Sequence, residues 1–143
     1  MRHFLLLSVA LVLGFAPAPM PRPRRHAEPD PLLGLWEGTS RSRGGHLIED
    51  RKRMLITLDR MICAPGPEAR EYVLRVDRSR EPVSYRIDGV AGGRVPDRRF
   101  HGVLRVEKDV LTLTYSSTAD PMPTGFDGDR QGDFVEVYRR VER

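Results

Sequence analysis

Arg98-Arg99-Phe100-His101-Gly102-Val103-Leu104-Arg105-Val106-Glu107-Lys108-Asp109-Val110-Leu111-Thr112-Leu113-Thr114-Tyr115-Ser116 is the stretch whose reading decides the fold. Phe100, Gly102, Leu104 and Val106 recur at every second position, and so do Leu111, Leu113 and Tyr115 after the polar turn Glu107-Lys108-Asp109. A period of two with a turn between two runs is the pattern of an antiparallel hairpin with one buried face.

The same plan extends outward from this hairpin. Upstream, Tyr72, Leu74 and Val76 form one stripe and Val83, Tyr85 and Ile87 another, joined by the short polar loop from Asp77 to Pro82. The alternation of Met54, Ile56 and Leu58 marks an earlier strand, and Met61 to Ala64 reads as its continuation past a bend at Asp59-Arg60. Leu32 to Gly38 supplies the first strand and carries Trp36, the only tryptophan, with the polar stretch from Thr39 to Gly45 expected as a loop. A Gly/Pro-rich segment separates Ile87 from Phe100. Downstream, a connection rich in Pro, Gly and Asp from Ser116 to Gly132 leads to a last strand at Phe134 to Arg139. About eight short strands and no convincing amphipathic helix predict an all-β fold. The simplest arrangement is an up-and-down antiparallel barrel, which buries one face of each strand and leaves no long open edge.

The 143 residues allow one domain. Met1-Arg2-His3 followed by the apolar run from Phe4 to Phe15 has the layout of a secretory leader and is short for a membrane span. The expected division is a leader at 1–18, an extended Pro/Arg-rich spacer at 19–31 and the barrel domain at 32–143. Export to the periplasm or beyond follows, with retention by an uncleaved leader as the alternative.

The net charge of +4 comes from basic and acidic residues interleaved along the chain, which weakens any long-range field. No basic stripe carries interleaved aromatics, so nucleic acid is not an expected partner. Cys63 is the single cysteine and has no internal disulfide partner. It reads as a small apolar side chain beside Ile62 and Ala64.

No motif for catalysis stands out. His101 falls on the face opposite the inward stripe, and no strained nucleophile turn, phosphate loop or pair of metal-binding histidines occurs. The segment from His46 to Asp50 reads as solvated side chains. Asp127-Gly128-Asp129-Arg130-Gln131-Gly132-Asp133 fails the spacing of a calcium loop and reads as a Gly/Asp turn. The chain is therefore expected to be neither an enzyme nor the holder of a metal or cofactor.

Several pieces in order carry a resemblance: Leu33-Gly34-Leu35-Trp36, Asp77 to Pro82, Gly102 to Leu113, and Pro123-Thr124-Gly125-Phe126 ahead of Arg139-Arg140. From Gly34 to Arg140 the chain resembles an uncharacterised lipocalin-like domain family expanded in planctomycete bacteria. The resemblance implies a lipocalin-like barrel and brings no established activity. Gly34-x-Trp36 is also similar to the first-strand signature of lipocalins, which implies that Trp36 packs at the closed end in a cation-π contact with Arg139 or Arg140. Two positions depart from the family pattern: Glu107-Lys108-Asp109 stands where a glycine is usual, and Thr114 where a cysteine is common.

Two readings of the inward stripes then compete. In one, Met54, Ile56, Leu58, Tyr72, Leu74, Tyr85, Ile87, Phe100, Leu104, Leu111, Leu113 and Tyr115 line a site for a small apolar or amphipathic ligand. In the other they are a packed core, and the chain is a structural or interaction module touching an envelope protein through its loops. An eight-stranded barrel has room for either. Gly102 on the inward stripe is expected to leave space.

Overall fold

The computed structural model describes residues 28–48 and 52–142. The expected leader and most of the expected spacer lie outside the described residues, as do Glu49 and Asp50. Among the described residues there is no helix and nine strands form one antiparallel sheet. These are β1 (Gly34–Arg43), β2 (His46–Ile48), β3 (Arg53–Ile56), β4 (Arg60–Cys63), β5 (Arg70–Asp77), β6 (Ser84–Gly89), β7 (Arg99–Glu107), β8 (Val110–Ser117) and β9 (Phe134–Arg140). Pairing runs in sequence order from β3 to β9, and β1 pairs with both β3 and β9. The sheet thus closes into an eight-stranded lipocalin-like barrel, with β2 as an extra strand hairpinned onto the end of β1.

The central hairpin has the expected register, with Leu104 opposite Leu113 and Glu107 opposite Val110. Its two-residue turn is made without glycine, and Lys108 takes a left-handed φ of 55°. Gly102 does not create space. A Cβ there would lie 1.9 Å from the Thr114 carbonyl oxygen, so the absent side chain lets β7 and β8 approach closely.

Three local expectations are corrected. The stretch from Thr39 onward is not a loop: β1 continues to Arg43, paired along its length with β9, and reverses at Gly44-Gly45, both with positive φ. The Ser/Arg composition of this stretch hides a strand that is held by its neighbour's hydrogen bonds. Second, Met61 to Ala64 does not continue the strand before it. The chain reverses between Ile56 and Arg60, where the Thr57 N–H donates to the Arg60 carbonyl, and β4 returns antiparallel to β3. Third, Leu58 sits at the tip of that reversal, 82% exposed, and lines nothing in the interior.

One end of the barrel is packed solid. Leu32, Trp36, Ile56, Leu74, Leu104 and Leu111 are buried there, with Trp36 and Leu111 completely inaccessible. The Trp36 indole N–H donates to the Leu32 carbonyl at 3.0 Å. The Arg140 guanidinium lies 4.3 Å from the indole ring, in the cation-π contact the resemblance implied, while Arg139 is exposed. Arg140 also donates to the carbonyls of Leu33, at 2.8 Å, and Pro31. Gly34 beneath it has φ 135°, a backbone conformation that side chains rarely adopt, and a Cβ there would come within 2.9 Å of the guanidinium.

The outer surface is not uniformly wet. Val103, Thr114 and Ser116 point outward yet are buried, because residues 118–133 fold back over β7 and β8. Ser116 Oγ donates to the Pro121 carbonyl at 3.1 Å, Arg105 stacks on Phe126, and Pro123 is fully buried. Elsewhere outward charges pair with one another: Arg75 on β5 and Arg99 on β7 reach Asp88 on β6 across strands, and Arg86 reaches it along β6. Such exposed pairs contribute little each.

Trp36→Ala is expected to lower stability by about 3 to 5 kcal/mol, because it empties the closed end and removes the seat of Arg140. A denaturant titration followed by circular dichroism measures this, and an unchanged midpoint would contradict the packing described.

Candidate functional site

The opposite end of the barrel is not filled. A cavity of about 130 Å³ lies there, walled by Met54, Met61, Cys63, Tyr72, Tyr85, Ile87, Phe100, Leu113, Tyr115 and Tyr138, with Glu136 among them and Arg41, Lys52, Arg70 and Arg98 also contributing. Its position follows from strand register. Phe100, Tyr115 and Phe134 lie at the ends of β7, β8 and β9 remote from Trp36, while Val106, Leu111 and Arg140 lie at the Trp36 end.

Aromatic side chains line one side in a continuous row. Tyr72 meets Phe100 edge-on with centroids 6.5 Å apart, Phe100 meets Tyr115 at 5.5 Å, and Tyr115 stacks on Phe134 at 5.2 Å. The Arg41 and Arg43 guanidinium groups cover the Phe134 ring. Edge-on and stacked contacts of this kind fix ring orientation, so the wall is preformed.

The polar centre of the cavity is Glu136 on β9, which is buried. Tyr115 donates its hydroxyl to Glu136 Oε1 at 2.8 Å, Tyr138 donates to Oε2, and Arg41 Nε lies 2.9 Å from Oε1. The carboxylate is therefore balanced by a guanidinium and two hydroxyls, as a buried charge requires. Burial, reinforced by the adjacent Glu136 charge, holds the Tyr115 and Tyr138 hydroxyls far above the ordinary phenol range. Tyr85 is raised in the same direction by burial, with Tyr115 and then Glu136 adding to it.

Cys63 faces this cavity. Burial first, and the Glu136 charge second, push its thiol from the ordinary 9.0 up to about 11. The thiol is held protonated at neutral pH, which suits an inert wall residue and not a nucleophile.

The inward residues expected from sequence divide between the two ends. Met54, Tyr72, Tyr85, Ile87, Phe100, Leu113 and Tyr115 line the cavity. Ile56, Leu74, Leu104 and Leu111 belong to the packed end, and Leu58 to neither. Sequence reasoning missed Arg41, Lys52, Met61, Cys63, Arg70, Arg98, Glu136 and Tyr138 as wall residues. Glu136 and Tyr138 could have been found, since they alternate with Phe134 on one face. Arg41 could not, because a bulge between Gly38 and Ser40 shifts the parity of β1. Gly34, Trp36 and Gly38 face inward before it, and the odd position Arg41 faces inward after it.

Residues weighed for other chemistry lie apart from this site. His101 is on the outer face, its Nε2 2.9 Å from the Asp120 carbonyl oxygen. His46 is exposed on β2. Asp133 is paired with Arg130 at 3.0 Å, while Asp127 and Asp129 are exposed. Among the described residues no three His, Cys, Asp or Glu side chains gather closely enough to hold a metal ion, and no helix is long and apolar enough to cross a membrane. No family model, curated protein or solved structure matches the chain.

Two expectations test the buried state of the wall. Alkylation of Cys63 by iodoacetamide near pH 8 should be slower in the folded domain than in denaturant by a factor on the order of a hundred, from the loss of thiolate. Equal rates would mean that the thiol is solvated. The second concerns pH. Cys63 and the wall tyrosines have folded pKa values above their unfolded ones, so the unfolded state loses these protons first. Their neutral forms support the fold fully below pH 9.0, and that support is withdrawn as pH rises towards about 11 for the thiol and higher still for the phenols. The denaturation midpoint should therefore fall between about pH 8 and about pH 10.5. A midpoint constant over that range would show that these groups are not buried in the folded state.

Proposed function

We propose that this chain is an exported, non-catalytic binding module that carries a small, partly apolar molecule in the open half of its barrel. The observation that carries this reading is the division of the interior. One end is sealed by Trp36, whereas the other keeps an apolar, aromatic-walled cavity of about 130 Å³ around a single buried polar centre. A largely apolar pocket with a few fixed polar groups is the general form of a small-molecule site. Its preformed wall limits the ordering that binding would require.

The chemistry of the wall supports binding over turnover. Both Glu136 oxygens accept from tyrosine hydroxyls and the carboxylate is paired with Arg41, while the Cys63 thiol is held protonated. Neither group is poised as a base or nucleophile. The leader read from residues 1–18 and the resemblance to lipocalin-like domains point the same way.

Native mass spectrometry of the domain purified from its own organism's envelope or secreted fraction tests the reading. An added mass on the order of 100 Da is expected, that of a body no larger than the benzene that fills a cavity of about 150 Å³, with a small polar group at the open mouth. It should be lost on denaturation. A bare monomer mass, or an adduct that survives a cavity-filling Ile87→Phe substitution, would overturn the proposal in favour of a protein-contacting module.

A further inference from the structure

The chemistry of the cavity's charged residues says what kind of molecule it suits. Among the described residues, four cationic side chains contribute to the lining, Arg41, Lys52, Arg70 and Arg98, against one carboxylate, Glu136. That carboxylate is already engaged by Arg41, Tyr115 and Tyr138. Arg70 opens β5 opposite Cys63, and Arg98 immediately precedes β7, its carbonyl accepting from the Gly89 N–H. Both are exposed, and among the described residues neither has a carboxylate partner. This sets them apart from the neighbouring charges, since Arg94 is paired with Glu68 and Arg60 with Glu71. Arg70 and Arg98 both act electrostatically on the Tyr72 hydroxyl, and Arg70 acts on the Cys63 thiol as well, so their charge reaches the wall of the cavity.

Resting on the binding reading, we infer that the molecule is a small organic anion, with its carboxylate or phosphate at the mouth between Arg70 and Arg98 and an apolar body of about benzene's size inside. The body lies against Met54, Ile87 and Phe100, where the wall is apolar. The anionic group stays at the mouth, because Arg41, Tyr115 and Tyr138 deeper in the cavity already direct their donors to Glu136 and leave none for a second anion. An uncharged molecule would fill the same space and leave the two guanidinium groups with water alone.

Isothermal titration calorimetry on the folded domain with phenylacetate, phenyl phosphate and the neutral phenylacetamide separates these cases, with Cys63 alkylation as the reporter of location. At low salt at least one anion is expected to bind about tenfold more tightly than the amide. That preference should disappear in the Arg70→Gln/Arg98→Gln double variant, and the bound anion should slow Cys63 alkylation further. Which anion wins distinguishes carboxylate from phosphate. Equal or tighter binding of the amide, with Cys63 protected, would leave the binding module standing and overturn the anion inference. Anion binding without Cys63 protection would place the ion on the outer surface and overturn it too. Failure of all three probes to bind or to protect Cys63 would overturn both readings.

Discussion

The Arg140 guanidinium lying on the Trp36 ring is the interaction on which the rest of the barrel depends. It joins the last strand to the first at the point where the sheet closes, since Trp36 is directly opposite Arg140 in the β1–β9 ladder. The same guanidinium holds the carbonyls of Pro31 and Leu33, fastening the incoming chain across the barrel end. Leu32 is buried there and receives the indole N–H on its carbonyl. One cation thus closes the sheet, seats the plug and shields the only tryptophan. Gly34 leaves it room to do so.

Closing one end this tightly relieves the other end of the same task. Large aliphatic side chains fill the space beside Trp36, but towards the mouth the inward residues become tyrosines, Phe100, and a buried glutamate with its arginine. Aromatic rings braced edge to face cannot collapse into a gap as flexible aliphatic chains can, so a cavity persists. The Glu136, Arg41, Tyr115 and Tyr138 cluster makes that end polar as well as hollow, and its mutual pairing keeps the buried charge tolerable. Packed core and open cavity are consequently not alternatives in this barrel. They occupy different levels of it.

How much of this could be read in advance differs from strand to strand. The hairpin of β7 and β8 was legible because its inward positions are apolar and its period is unbroken. Trp36 with its Gly34 was legible for the same reason, aided by resemblance, which left Arg139 and Arg140 as equal partners. The latter half of β1 was illegible because Ser40, Arg41, Ser42 and Arg43 carry no apolar alternation, and the bulge after Gly38 reverses which residues turn inward. Leu58 was misread because a leucine in phase with Met54 and Ile56 looks inward until the chain is seen to reverse beneath it.

By itself the sequence determined the class of fold and the set of apolar faces, because a period of two and the placing of turns are local properties of the chain. It also determined that the strands are too short and too many to bury their faces other than by closing on each other. Only the tertiary structure decided which inward residues pack and which surround a cavity, since that depends on side chains from β1, β4 and β9 meeting across the barrel. The charged wall is the clearest instance. Arg41 and Glu136 are 95 positions apart in sequence, and only closure of β1 onto β9 brings them within 2.9 Å.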